Sequence, residues 1–228
     1  MQPSIVETKI FKGDDADPRL ALIGPGLTAS AIFEAVTKGV SAKNDAKERP
    51  FPIIYPGIAA WAHTVAALRD TLVTGHNWKA SETDNFSRTI SPDGNHQFIV
   101  ASGTAHTGLE HGFATTTRKK GKMTKQVVEA NWDLFTFANQ TPFAAMVEAG
   151  LQSQNQDGPS TWYILVHFAK KYVRVEMSIP HAFTDGRVSA WRERIIIPHI
   201  ELPDYATAID PHEFGPSGFI DIAVVPGG

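Results

Sequence analysis

The stretch WYILVHF-AKK-YVRVEMSI, Trp162 to Ile179, decides the fold. Two β-rich runs flank the short polar connector Ala169-Lys170-Lys171, which is the pattern of an antiparallel hairpin. In the second run Val173, Val175, Met177 and Ile179 fall on one face and Tyr172, Arg174, Glu176 and Ser178 on the other, because side chains alternate along a strand. Pro180 is expected to end that strand, and Asp185-Gly186 marks the next turn. A third strand is predicted over about Val188–Ile197, before Pro198, and a last one over Phe219–Val225. The C-terminal third is therefore read as β.

The N-terminal part reads differently. A short strand is predicted within Ile5–Phe11, a turn over Lys12–Pro18 and a brief strand at Leu20–Ile23. Thr28 is a good N-cap for a helix from Ala29 to about Lys38, with Ile32, Ala35, Val36 and Gly39 on one side. Ser41–Pro52 reads as a polar surface loop. Ile58–Val73 carries the clearest helical stripe, with Gly75 expected just beyond its end. Trp78–Gly94 is rich in loop residues, and Gln97–Ala101 is a short apolar strand. Further helices are predicted over Lys125–Phe135, capped by Thr124, and over Phe143–Leu151. The fold class is thus α+β: helices mainly in the first two-thirds, packed on a largely antiparallel sheet formed mostly by the C-terminal third. One domain, residues 1–228, is expected; Gln152–Ser160 is the most linker-like stretch and the one place for a boundary.

Composition narrows the class. The chain has 228 residues, 42% of them hydrophobic and 20% charged, which is ordinary globular usage and argues against wholesale disorder. It contains no cysteine, which excludes disulfides, thiolate zinc sites and a cysteine nucleophile. No run approaches the roughly 18 apolar residues of a membrane span, and the N-terminus lacks the apolar core of a secretory signal. A soluble, cytoplasmic protein with no membrane partner is expected. With a formal net charge of −3, any binding to nucleic acid must come from a local patch.

Such a patch exists in Ser102–Gln126 (SGTAHTGLEHGFATTTRKKGKMTKQ). Arg118, Lys119, Lys120, Lys122 and Lys125 place five positive charges within eight residues, and no acid occurs between Glu110 and Glu129. Thr116 and Thr117 add hydroxyls, and the segment runs into the helix capped by Thr124, whose first N–H groups are free. These are the ingredients of phosphate contact, and neutralising several phosphates gives salt-sensitive binding. The competing explanation is a solvated loop whose lysines only aid solubility. A nucleotide-binding P-loop is excluded: Thr116 occupies the first glycine position and Met123 the Ser/Thr position that should hold magnesium.

Three other constellations were weighed. His106 and His111 flank Glu110 in a glycine-rich loop, five residues apart, which is not the helical HExxH spacing. His199, Glu201, Asp210 and His212, with Asp204 and Glu213 nearby, could hold a divalent cation, but acidic proline-rich loops carry such residues without metal. Arg174 and Glu176 lie on one strand face, and Arg192, Glu193 and Arg194 on the predicted neighbour strand; cross-strand pairing on a solvated face is the expected use, and an arginine-lined anion surface the sharper one. The leading expectation is a non-enzymatic module that binds nucleic acid or another polyanion, with no cofactor. The alternatives are a metal-dependent hydrolase and a self-associating protein. In the last, the basic loop would meet the acidic C-terminus, where no Lys or Arg follows Arg194.

Overall fold

A computed structural model describes residues 7–82, 87–117, 159–184 and 187–202. Among them the chain forms three helices, α1 (Ala16–Ala21), α2 (Ala29–Lys47) and α3 (Tyr55–His76). Seven strands follow the order β1 (Lys9–Phe11), β2 (Lys79–Ser81), β3 (Arg88–Ile90), β4 (His96–Ser102), β5 (Ser160–Phe168), β6 (Tyr172–Thr184) and β7 (Arg187–Glu201). They build one mixed sheet in the order β1-β7-β6-β5-β4-β3-β2. The β4–β5 and β1–β7 pairs are parallel and the other four antiparallel. The architecture is α+β, as the sequence indicates. The helices Lys125–Phe135 and Phe143–Leu151, the Gln152–Ser160 linker (through residue 158) and the Phe219–Val225 strand lie outside the described residues.

The hairpin forms as expected, with Leu165 opposite Glu176 and Val166 opposite Val175. Val173, Val175, Met177 and Ile179 are fully buried on the helix-covered face. There they meet Trp162, Ile164 and Val166 of β5 and the stripe of α2 and α3, including Ile32, Val36, Leu68 and Leu72. Each fully buried side chain of this size contributes roughly 1.5–3 kcal/mol, so this layer dominates folding. A second cluster lies on the opposite face, where Ile99, Ala101, Tyr163 and Leu165 pack with Ala114, Val188 and Trp191. β5 is thus buried on both faces, which is why WYILV is a continuous apolar run rather than an alternating one.

Five local expectations are corrected. Thr28 does cap α2, its hydroxyl accepting from Ala31 N at 3.0 Å, but the helix continues to Lys47 because Lys43 and Ala46 extend its buried stripe. Ser41–Lys47 is therefore helix and not loop. Leu20 belongs to α1 rather than to a strand, since Ala16 and Leu20, one helical turn apart, are both buried. The end of α3 is set not by Gly75 but by Asn77, which adopts the left-handed conformation (φ 59°) while Trp78 N donates to Leu72 O at 3.2 Å. Asn77 N donates to the same Leu72 carbonyl, so both N–H groups fold back on the last turn, and asparagine tolerates the left-handed conformation. Trp78–Gly94 contributes two short antiparallel strands, β2 and β3.

The fifth correction concerns the prolines. Pro180 does not end β6, and β7 continues through Pro198. The ladder shifts register beside both residues: Ile179 faces Glu193 while Pro180 faces Trp191, and Val175 faces Ile197 while Val173 faces Ile200. A proline has no N–H to donate, and a bulge absorbs the missing bond without terminating the strand. The bulges leave Arg192, His181 and Ser189 as extra residues along the ladder and set Pro198 and His199 together opposite Arg174.

Candidate functional site

The basic segment is rooted in the loop that follows β4. Residues 103–117 cross the sheet face opposite the helices and are held there by backbone and side chain. Thr104 N donates to Thr115 O at 2.9 Å, Thr117 N donates to Ser102 O at 3.1 Å, and Gly103 and Thr116 form an isolated bridge. Trp191 Nε1 donates to Ala114 O at 2.6 Å and Thr115 Oγ1 to Val188 O at 2.9 Å. Thr116 is therefore 1% exposed, and the Thr117 hydroxyl is buried as well. Both serve the fold and are turned away from any surface ligand. Arg187, exposed at the start of β7, donates from Nη2 to Thr117 O at 3.2 Å. Arg118, Lys119, Lys120, Lys122 and Lys125 lie outside the described residues.

Glu176 and Arg194 form the clamp under this loop. Arg194 Nε donates to Glu176 Oε1 at 3.1 Å and Nη2 to Oε2 at 2.5 Å. The carboxylate also accepts from Gly108 N at 2.7 Å and Ser178 Oγ at 2.9 Å, while Arg194 donates onward to Leu109 O and Gly112 O. Glu176 is fully buried and Arg194 is 3% exposed. The pairing on this face is therefore not solvated, as the strand pattern suggests, but covered by the loop. Arg194 already holds a carboxylate of its own chain and is not available as an anion receptor. Gly108 sits at φ 67°, close against the Val175 backbone, a conformation and a clearance that favour glycine.

Where residues 108–109 meet β6, β7 and the turn at Lys12-Gly13, the surface forms a groove of about 280 Å³. Lys12, Arg174 and His199 supply its polar groups, and Leu109, Tyr172, Ile196 and Pro198 its apolar walls. Arg174 is positioned twice over: Nη2 donates to Ala105 O at 2.6 Å, and the guanidinium stands 5.3 Å from the Tyr172 ring centre. His199 meets the same ring edge-on at 5.7 Å. Lys12 Nζ pairs with Glu110 at 2.5 Å, and this contact holds the Glu110 carboxyl below its ordinary range.

The histidine and acid groups do not assemble a metal centre among the described residues. His106 and His111 are exposed on the loop. His199 and Glu201 approach to 4.0 Å, with side chains 58% and 90% exposed. No third His, Asp or Glu among the described residues joins them. Asp210 and His212 lie outside those residues.

Two polar clusters carry no sequence motif. The first gathers at the N-terminal ends of β4 and β5. Trp162 Nε1 donates to His96 Nδ1 at 3.3 Å, Arg19 stands 5.2 Å over the Trp162 ring, and Arg19 pairs with Glu193 at 2.6 Å. Burial lowers the His96 pKa, against the pull of the Asp93 carboxylate, and burial likewise lowers that of His181. The second cluster is Lys43, whose ammonium lies 3.6 Å from the centre of the Phe168 ring. Burial, with Lys47 as the lesser cause, lowers its pKa from 10.5 to about 7. Burial also lowers the pKa of the neighbouring His167, whose Nδ1 contacts Gly103 O at 3.2 Å. Helical spacing placed Lys43 on the buried stripe of α2, which was the available signal.

No protein-family model matches the chain, and no curated protein or solved structure shows significant similarity to it. No helix among the described residues is long and apolar enough to cross a membrane.

Proposed function

We propose that the protein is a non-enzymatic binding module for a polyanion, with nucleic acid as its partner class, acting through Arg118, Lys119, Lys120, Lys122 and Lys125. The observation that carries this reading is the charge density of the segment: five cations in eight residues, within a chain whose formal net charge is −3. Its root supports the reading further. The segment begins one residue beyond Thr117, which is tied to Ser102 and to the exposed Arg187. Arg187 adds a sixth cation beside that root. Thr116 and Thr117 leave the proposed contact set because their hydroxyls face the interior.

Binding of this kind releases counterions, so affinity falls steeply with salt, by about 0.9 in the log–log slope for each phosphate neutralised on duplex DNA. The test is titration of labelled single- and double-stranded DNA and RNA at two salt concentrations, with the full chain and with a Lys119→Ala, Lys120→Ala, Lys122→Ala variant. The expected outcome is affinity that weakens with salt and a slope about three units shallower in the variant. Salt-independent binding, or a variant that binds like the parent, overturns the proposal.

A further inference from the structure

We infer that the groove between the Gly108-Leu109 corner and the β6–β7 ladder is a binding site for a small molecule with a flat apolar body and one anionic group. It involves none of residues 116–125 and does not depend on the polyanion reading.

Four parts of the chain converge on it: the Lys12-Gly13 turn, Gly108-Leu109, Tyr172 with Arg174, and Ile196 to His199. Its volume of about 280 Å³ is at the small end for ligand pockets, which run roughly 300–1,000 Å³. The charge of its lining sets the ligand class. Lys12 and Arg174 are cations, His199 can donate hydrogen bonds, and among the described residues no acid lines the groove. Three acids stand just outside the lining: Glu176 accepts from Gly108 N and is paired with Arg194, Glu110 engages Lys12, and Glu201 stands 4.0 Å from His199 with its side chain 90% exposed. Glu110 already answers Lys12, so the cation left for a ligand to meet is Arg174, and an anion meets it.

The walls set the rest of the ligand. Leu109 and Tyr172 are large hydrophobic residues, each 37% exposed, and they border the groove. With Ile196 and Pro198 they give the groove an apolar wall, the kind of lining that takes the body of a small ligand. A planar ring laid against Leu109, Ile196 and Pro198 covers it, while its acid group faces Arg174. Arg174 is also held before any ligand arrives, by the Ala105 carbonyl and the Tyr172 ring. Preorganisation of the anchoring cation reduces the ordering cost of binding.

The test is an amide-resolved NMR titration of the full chain with benzoate, with phenyl phosphate and with uncharged benzyl alcohol. Both anions are expected to shift Gly108, Leu109 and His199 amides saturably at millimolar concentration, and benzyl alcohol is not. The tighter of the two anions identifies the head group as carboxylate or phosphate. Arg174→Gln should weaken the anion by about tenfold or more, the loss expected for one charge-assisted hydrogen bond. His199→Ala and Lys12→Ala, at exposed side chains where folding is not at stake, should each weaken it severalfold. The inference is overturned by an absence of saturable shifts, by benzyl alcohol binding as well as benzoate, or by anion affinity unchanged in the Lys12→Ala and His199→Ala variants.

Discussion

Lys43 shows how one residue can work against the layer that contains it. It occupies a buried position of α2, one turn beyond Gly39 and Val40, with its ammonium against the face of Phe168. A ring face attracts a cation by about 2 kcal/mol when the pair is desolvated. Loss of water opposes this and wins, because the lysine pKa falls from 10.5 to about 7. The sign of the pH dependence follows. Between about pH 7 and pH 10.5 the unfolded chain holds a proton that the folded chain has released, so stability rises with pH through that window. Below it both states are protonated and the folded protein bears the whole cost of the buried charge. Lys43→Met keeps the length of the side chain and removes the charge. It should be more stable than the parent near pH 6 by on the order of a few kcal/mol, and the gap should close towards pH 10. Urea denaturation of both proteins across that range measures it. A gap that does not change with pH would show that the ammonium is hydrated in the native state.

At the scale of elements, legibility followed the range of the determining interactions. The alternation of Val173, Val175, Met177 and Ile179 gave the face of β6 directly, because the two-residue period is a local property of strands. The Thr28 cap was equally local. The far end of α2 was not, because a lysine at a stripe position reads as polar until the partner layer is known. The strands through Pro180 and Pro198 were missed for a related reason: the neighbouring strand supplies the bulges that let them continue. Contact between α2 and α3 is also non-local, and Gly39 is a point of close approach. A methyl group there would collide with Thr64 Oγ1 and with the Ala60 carbonyl, the two groups already bonded to one another across one turn of α3. Alanine is intrinsically better than glycine in a helix by about 1 kcal/mol, so an isolated helix would gain. In the folded protein overpacking of roughly 1–3 kcal/mol opposes that gain. Gly39→Ala should therefore be destabilising in chemical denaturation. Adding Thr64→Ala should restore only part of the loss, because the Ala60 carbonyl remains. A variant as stable as the parent would mean that the helices can separate without cost.

Across the whole molecule the sheet has two unlike covers, α2 and α3 on one face and the loop of residues 103–117 on the other. Only the first was readable. Glycines and threonines in Ser102–Thr117 have the composition of a free loop, and beyond the loop's own internal bonds it is tied to the sheet by Val166, Arg174, Glu176, Arg187, Val188, Trp191 and Arg194, all distant in sequence. The face of Glu176 was visible in the strand pattern and Arg194 was expected on a neighbouring strand, but their pairing and burial depend on the register and on that cover. The groove was not visible at all, because its lining comes from four separated places in the chain. The basic charges remain legible as charges alone. Residues 108–112 of the loop-side cover are held by one buried ionic clamp, which gives a prediction about how the molecule comes apart. A buried ion pair adds little over a well-packed apolar pair, yet removing one partner strands the other charge at a cost of about 3–5 kcal/mol. Arg194→Met strands Glu176, which is fully buried, and also releases the Leu109 and Gly112 carbonyls. Global stability should fall by that amount, and the loss should be uneven in space. The Gly108 amide, which donates to the stranded carboxylate, should lose most of its protection from hydrogen exchange. Amides of α2 and α3 should lose only what the global change requires, because their core lies on the other side of the sheet. Exchange measured residue by residue in parent and variant distinguishes the two cases. Equal loss on both faces would mean that the loop and the helices unfold as one unit and that the clamp holds the whole sheet.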